Sequence, residues 1–219
     1  MKHFLTASVL LFVTFLSSPS NSQITRVEVD WDIRTFEPDE VAVAPQISLI
    51  MANRANLDSD FAEFRINPEY EGSIGGIKID TWRGPQELDE SAYVSRPPLN
   101  QQNDRLQFTT VAEVDGDSTV YRMKDWTSNQ WGNISDSEFQ ACRTTGNGRI
   151  QFSINLTMSE SEIEYGHNMV NQIFVKEIRY YIGNNLAKRN RTGYYLYRDG
   201  QSIVEPETDQ EIIDEYIAY

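Results

Sequence analysis

The sequence predicts a mainly β protein, either an antiparallel β-sandwich or a strongly curved sheet, with one or two short helices. Three observations predict this class. Apolar and polar residues alternate strictly over residues 27–33 and 150–158, which is typical of strands that bury one face. Turn-forming Gly, Pro, Asn and Asp residues separate many short segments. Strands and helices do not alternate in the way that indicates a parallel sheet.

Further strands are predicted where the alternation is less regular, over residues 46–52, 61–66, 76–82, 105–114, 118–123 and 172–182. Asp199-Gly200 predicts a tight hairpin between residues 194–198 and 201–204, because Asp-Gly readily adopts the positive φ angles of such turns. Residues 114–117 predict a second one. Residues 95–104 are predicted to form a long loop, since its prolines cannot donate ladder hydrogen bonds.

Helix signals are confined to two places. Residues 135–142 begin with a serine suited to capping a helix, and acidic residues follow it, which predicts one or two helical turns. Residues 209–219 carry apolar residues at helical spacing, but strand alternation also fits parts of this segment. Both interpretations of it stay open.

The first 22 residues have the features of a secretory signal peptide. Lys2 precedes an apolar run over residues 4–16, and small residues at Ser20 and Ser22 match a cleavage site before Gln23. The alternative is a membrane anchor, but the run is shorter than the roughly 20 apolar residues that span a bilayer. We therefore expect a secreted or periplasmic chain of one β-rich domain, residues 23–219, without a transmembrane segment.

The composition excludes some functions. The net charge of −14 argues against binding nucleic acid, which requires clustered basic residues to neutralise phosphates. The one basic cluster, residues 188–191, is interpreted as a solvated loop. Cys142 is the only cysteine, so no disulfide framework can form within the chain.

Catalytic signals are weak, and a non-enzymatic protein is favoured over an enzyme. After signal cleavage His167 is the only histidine, and no G-x-S-x-G motif is present. Acidic residues number 33, so a pair suited to glycoside hydrolysis could be proposed in many places. Glu28 and Asp30 share one face of a predicted strand, where we expect them to face solvent.

Two sets of residues suggest ligands. Oxygen ligands on predicted turns would suit calcium at Asp58 and Asp60 or at Asp115 and Asp117, although turn formation alone also explains them. No other cofactor is indicated. Aromatic rings beside amides suit sugar binding, and this pattern selects Trp126, Asn129, Gln130, Trp131 and, further away, Trp82. Packing of these tryptophans on the core is the alternative.

The second half of the chain resembles a known family. Residues 175–185, VKEIRYYIGNN, followed by YLYR at residues 195–198, are similar to the C-terminal β domain of PilW-type minor pilins and type II secretion pseudopilins. Residues 103–108, NDRLQF, resemble the strand that precedes this hairpin in those proteins. The resemblance covers about residues 103–204 and implies a β domain of an envelope apparatus, with no catalytic residues.

The chain departs from that family at its start. Residues 4–16 lack the preceding glycine and the internal glutamate of pilin leader segments, and a predicted strand follows instead of a long helix. The resemblance therefore implies a relative or accessory of the apparatus. We expect an exported, non-enzymatic β domain that acts through protein contacts at the cell envelope or surface. The alternatives are a carbohydrate-binding module and a secreted glycan-active enzyme, so the expected partner is a protein or a polysaccharide.

Overall fold

The computed structural model describes residues 24–36, 44–52, 60–116, 118–133, 142–145, 158–191, 193–199 and 201–203. These residues form fifteen strands, and every strand pairing among them is antiparallel. The strands are β1 (Arg26–Thr35), β2 (Gln46–Ala52), β3 (Asp60–Ile66), β4 (Glu69–Tyr70), β5 (Ser73–Ile74), β6 (Ile77–Arg83), β7 (Gln86–Val94), β8 (Arg105–Asp115), β9 (Ser118–Ser128), β10 (Cys142–Thr145), β11 (Met158–Tyr165), β12 (Val170–Ile182), β13 (Asn185–Asn190), β14 (Tyr194–Arg198) and β15 (Gln201–Ser202).

The strands form two main sheets. The eight-stranded sheet has the order β10-β9-β8-β1-β12-β14-β15, and β13 also pairs with β12. The five-stranded sheet has the order β11-β2-β3-β6-β7, and β4 and β5 form a small separate hairpin. The predicted antiparallel, mainly β class is confirmed, and the arrangement is consistent with a β-sandwich.

Period-two alternation explains which face of β1, a central strand of the larger sheet, packs on the core. Val27, Val29 and Ile33 are each 0% exposed and Trp31 is 1% exposed, because successive side chains of a strand point to opposite faces. These residues belong to one buried apolar cluster that also contains residues of the five-stranded sheet, among them Phe64. The apolar faces of both sheets thus contribute to a shared core.

The two predicted hairpin turns are present. β14 and β15 pair with Arg198 opposite Gln201, and Asp199 has a φ of 50°. β8 and β9 pair with Asp115 opposite Ser118. The predicted long loop over residues 95–104 is also present, because these residues belong to no strand.

One prediction is wrong, and several others concern residues that the structure does not describe. Residues 188–191 are not a solvated loop: the first three belong to β13, which pairs with β12. The strand predicted over 150–158 lies outside the described residues except for Met158, the first residue of β11. The signal peptide and the 209–219 segment also lie outside them. So does the helix predicted over 135–142, except for Cys142, which begins strand β10.

The described part of the chain contains one short helical turn, a 3-10 helix at His167–Met169. No helix among the described residues is long and apolar enough to cross a membrane. Export and the absence of a transmembrane segment from residues 23–219 therefore stay predictions of the sequence.

Candidate functional site

The predicted sugar-binding tryptophans do not form one exposed surface. Trp126 is 3% exposed and stacks on Phe108 with ring centroids 4.7 Å apart. It lies in β9 and not in a loop, so the prediction that its ring is available to a sugar is wrong. Trp82 lies in the other sheet, on β6, where its ring packs parallel to Phe61 at 6.1 Å.

A β-bulge explains the position of Trp126. Asp125 has a φ of 58°, and the pairing of β9 with β8 shifts register between Gln107 and Thr109. A bulge inserts an extra residue and reverses the side chains that follow it. Trp126 therefore points into the core, although a simple count along the strand does not reveal it.

The neighbouring amides and Trp131 anchor the loop over residues 95–104. Gln130 Oε1 accepts hydrogen bonds from the backbone N–H groups of Asn100 (3.0 Å) and Gln101 (3.3 Å), and its Nε2 donates to the carbonyl of Pro98. Trp131 Nε1 donates to the carbonyl of Pro97 at 2.9 Å. These polar groups are thus already engaged within the protein. Polysaccharide binding here stays a prediction.

Two buried residues that sequence reasoning missed complete this anchor. Asp104, 1% exposed, accepts hydrogen bonds from Ser128 Oγ at 3.1 Å and from the backbone N–H of Asn129 at 2.9 Å. Asn67, 0% exposed, donates to the carbonyls of Pro45 and Leu99 and accepts from Leu99 N–H. Buried polar side chains satisfied in this way stabilise a loop conformation.

Calcium binding stays a prediction of the sequence. Asp58 and Asp117 lie outside the described residues, Asp60 begins β3, and Asp115 is exposed at the end of β8. Among the described residues no three His, Cys, Asp or Glu side chains lie close enough together to hold a metal ion.

A network of charged side chains crosses the outer face of the eight-stranded sheet, and we call it the central network. Its anions are Glu28 and Asp30 on β1, and its cations are Arg179 on β12 and Lys124 on β9. Arg179 donates to Glu28 Oε2 at 3.1 Å and to Asp30 Oδ1 at 2.8 Å, and Lys124 donates to Glu28 Oε1 at 2.8 Å. Thr109 Oγ1 also donates to Asp30, at 2.7 Å.

The expectation that Glu28 faces solvent is wrong, since it is 4% exposed. Burial by itself raises the pKa of the Glu28 carboxyl, but the hydrogen bonds and charges of Lys124 and Arg179 outweigh burial and hold this pKa below its ordinary value. Asp30 behaves in the same way, chiefly through Arg179 and Thr109. Both carboxylates are therefore ionised and supplied with donors, which suits a structural network and does not suit proton donation at neutral pH.

A second buried carboxyl, on the five-stranded sheet, has a pKa above its ordinary value instead of below it. Asp80 is 1% exposed and lies 2.7 Å from the ammonium group of Lys78. Burial raises the pKa of Asp80 more than Lys78 lowers it. Its burial keeps this carboxyl away from any substrate in solution, so we assign it no chemistry.

The surface that remains is the outer side of β13, together with Arg191, and we call residues 185–191 the basic edge. Within the described residues β13 pairs with β12 and with no strand on its other side. Leu186 is 44% exposed, and Lys188, Arg189 and Arg191 supply three positive charges. An open recess of about 300 Å³ is lined by residues of this edge: Leu186, Ala187, Lys188, Arg189 and Arg191.

The basic edge has fewer anions than cations. Arg189 Nε lies 2.9 Å from Glu177 Oε1, and Arg191 Nε lies 3.5 Å from the same oxygen. Glu177 also accepts a hydrogen bond from Arg179, at 3.0 Å. One carboxylate thus meets three guanidinium groups, and the side chain of Arg191 is 72% exposed. Within the described part of the chain, the edge therefore carries more positive charge than the single carboxylate of Glu177 neutralises.

One sequence signal could have located this strand. Gly183-Asn184 stands between β12 and β13, and Gly-Asn is a turn pair typical of two-residue hairpins. Gly183 has the positive φ, 58°, that such a turn requires. The basic residues that follow would then have been placed on a strand.

Comparison with known proteins adds no relative: no family model matches the chain, and no curated protein matches it significantly.

Proposed function

We propose that this chain is an exported, non-enzymatic β domain that acts by protein contact, and that the basic edge is its contact surface. The observation that carries the proposal is the outer side of β13, which pairs with no strand among the residues that the structure describes. A strand edge presents a row of backbone N–H and C=O groups, and an extended segment of another protein can add to it as a further strand.

The chemistry of the basic edge selects the partner. Main-chain hydrogen bonds provide affinity in strand addition, and the alternate side chains provide specificity. Lys188 and Arg191 favour carboxylates, while the exposed Leu186 favours an apolar side chain. The partner segment is therefore extended, with acidic and apolar residues in alternation.

The chain as a whole makes this edge distinctive. With a net charge of −14, most of the protein repels an acidic segment, while the basic edge attracts it. Complementary charge of this kind orients an encounter and excludes incorrect surfaces. A local basic site on an acidic protein is thus suited to selecting one mode of contact.

The resemblance to minor pilins and pseudopilins supports an envelope setting. Its clearest residues, 175–185 and 195–198, belong to β12, the turn after it and β14, the same strands that surround the basic edge. Together with the predicted signal peptide, this supports a protein that contacts an envelope or surface apparatus. Export is tested by expressing the full chain and sequencing the N-terminus of the product, which we expect to be Gln23.

The contact surface is tested with a synthetic peptide of alternating glutamate and valine. We expect it to bind residues 23–219, whereas the same peptide with proline at alternate positions does not bind, because proline removes ladder hydrogen bonds. In the double variant Lys188→Glu/Arg191→Glu, affinity should fall about tenfold. The matched control Arg83→Glu/Arg96→Glu makes the same charge change away from the edge.

Fluorescence anisotropy of labelled peptides measures both effects. Equal binding of the two peptides would contradict strand addition. Equal loss of affinity in the edge and control variants would show that only net charge matters, and would contradict the assignment of the basic edge.

A further inference from the structure

A second cluster of cations lies on the outer face of the eight-stranded sheet. Arg34 on β1 follows the buried Ile33, so it points away from the core. It stands directly opposite Arg105 of β8 on one side and Gln172 of β12 on the other, and Arg198 of β14 is opposite Gln172. Neighbouring strands are about 4.8 Å apart, so the backbones of Arg34 and Arg198 are separated by roughly twice that distance.

Two guanidinium groups of this row meet one carboxylate. Arg105 donates to Asp32 Oδ1 through Nε at 2.9 Å, and to Oδ2 through a second nitrogen. Arg34 Nε lies 3.9 Å from Asp32 Oδ1, and the side chain of Arg34 is 48% exposed. Like charges directly opposite each other destabilise a sheet. An anion bound from solvent at Arg34 would therefore relieve this repulsion.

Arg198 is also accessible to a ligand. Its Nε lies 3.4 Å from Asp199 Oδ2, but the two side chains are 55% and 71% exposed. Ion pairs in such exposed positions contribute little to stability. Arg198 can therefore exchange this contact for the carboxylate of a ligand.

Two aromatic rings lie beside this row. Phe174, two residues along β12 from Gln172, is opposite Tyr195 of β14, and their ring centroids are 4.6 Å apart. The guanidinium carbon of Arg198 lies 4.8 Å from the centroid of the Tyr195 ring. Both rings are partly exposed. A Cβ at Gly193 would overlap the ring of Phe174, so the glycine makes room for this ring.

We propose that this surface binds an acidic polysaccharide, a glycan whose sugar rings carry carboxylates. We call it the arginine–aromatic face, and it consists of Arg34, Arg105, Phe174, Tyr195 and Arg198. Guanidinium groups match carboxylates with paired hydrogen bonds, and aromatic rings pack against the apolar faces of sugars. The face crosses β12 at residues 172–174, whereas the basic edge lies beside residues 178–182. This is therefore a second binding function, which does not use the basic edge.

The backbone at the arginine–aromatic face favours a glycan over an extended peptide. The strands β8, β1, β12 and β14 are consecutive neighbours in the sheet, so β1 and β12 are paired on both sides. Strand addition needs an unpaired edge, and these two strands do not offer one. The ligand is thus recognised by side chains alone. Sugar rings that carry carboxylates supply the complements of both the arginines and the aromatic rings.

Isothermal titration calorimetry of residues 23–219 with polygalacturonate tests the proposal. We expect binding to polygalacturonate and none to its fully methyl-esterified form, which has the same rings without the charge. Arg34→Gln/Arg198→Gln should lower the affinity about tenfold, because two exposed charged contacts are lost. The matched control Arg83→Gln/Arg96→Gln removes the same charge elsewhere and should leave the affinity unchanged.

The aromatic contribution is tested separately at Tyr195. Tyr195→Ala should lower the affinity for polygalacturonate about fivefold, because the ring is removed. Tyr195→Phe keeps the ring and should bind as the parent does. Equal losses in the two variants would show that the hydroxyl group and not the ring contacts the glycan, and would overturn the stacking role.

The remaining outcomes decide the site and the ligand class. Absence of polygalacturonate binding, equal binding of the methyl ester, or equal losses in the arginine variant and its control would overturn the proposal. A greater loss in Lys188→Gln/Arg191→Gln than in Arg34→Gln/Arg198→Gln would assign the glycan to the basic edge and overturn this site. Equally tight binding to phosphatidylglycerol vesicles would show that the face selects negative charge and not a glycan, and would overturn it as well.

Discussion

Charged side chains are buried and paired at the centre of the eight-stranded sheet, whereas at its basic edge they are more exposed and share fewer partners. At the centre, the single guanidinium group of Arg179 binds both Glu28 and Asp30, and all three are largely buried. At the edge, Arg189 and Arg191 share one carboxylate, Glu177, and are more exposed. Buried arginine–carboxylate contacts thus stabilise the centre of the sheet, whereas exposed arginines at its edge remain available for contact with a partner.

The largest effect should come from removing the shared cation at the centre. Arg179→Met leaves Glu28 and Asp30 with fewer donors in a buried position, and breaking such a buried charge network lowers the free energy of unfolding by about 3 kcal/mol. Arg189→Met, the matched change at the edge, should lower it by about 0.5 kcal/mol. Urea denaturation at neutral pH measures both. Equal losses would contradict the division between centre and edge.

Replacing Glu28 should have a smaller effect on stability, and this effect should depend on pH. Glu28→Gln removes a carboxylate whose pKa in the folded protein is held below its ordinary value, so its contribution is present above the pKa of the unfolded chain and disappears as the pH falls through the folded pKa. We expect the variant to be less stable than the parent by about 2 kcal/mol at pH 7. The difference should shrink steadily under acid conditions below about pH 4.5. A constant difference would show that Glu28 acts by packing alone.

Asp80 should make the stability of the protein depend on pH in the opposite direction. Because its pKa in the folded protein is raised, ionisation opposes folding, and the parent loses stability as the pH rises from the ordinary pKa through the raised one. Asp80→Asn should therefore cost less stability at pH 7 than at pH 3, relative to the parent. Thermal unfolding across this range measures it. A greater cost at pH 7 would mean that the ion pair with Lys78 outweighs burial.

The smallest effect on stability should come from the basic edge itself. Lys188→Glu/Arg191→Glu should change the free energy of unfolding by less than about 1 kcal/mol, although it weakens peptide binding. Urea denaturation of this variant beside the parent checks the first part. A large loss of stability would show that these residues hold β13 in place, and the binding result could then not be assigned to contact.

Local alternation was sufficient for strands with one buried face. β1, β2 and β8 were predicted within a residue or two at each end, because their apolar residues repeat with the period of a strand. β7 and β13 were missed because both lie at the edge of their sheets, and their sequences, QELDESAYV and NLAKRN, do not alternate regularly between apolar and polar residues. A strand without this alternation leaves no periodic signal.

The side chains of the candidate site were harder to predict, because their environment depends on distant residues. Glu28 is buried under Arg179 and Lys124, which are 151 and 96 residues away in the sequence. Trp126 turns inward because of a bulge at its neighbour Asp125. Neither a long-range pair nor a bulge can be read from the local pattern.

The central claim is that a partner segment adds to the basic edge, and hydrogen exchange of the backbone with and without the alternating glutamate–valine peptide tests it most directly. The account predicts slower exchange of amides in β13, at residues 185–190, while β1 at the centre of the same sheet is unchanged. Slower exchange confined to another edge strand, such as β7, or no change at β13 while the peptide is bound, would contradict it.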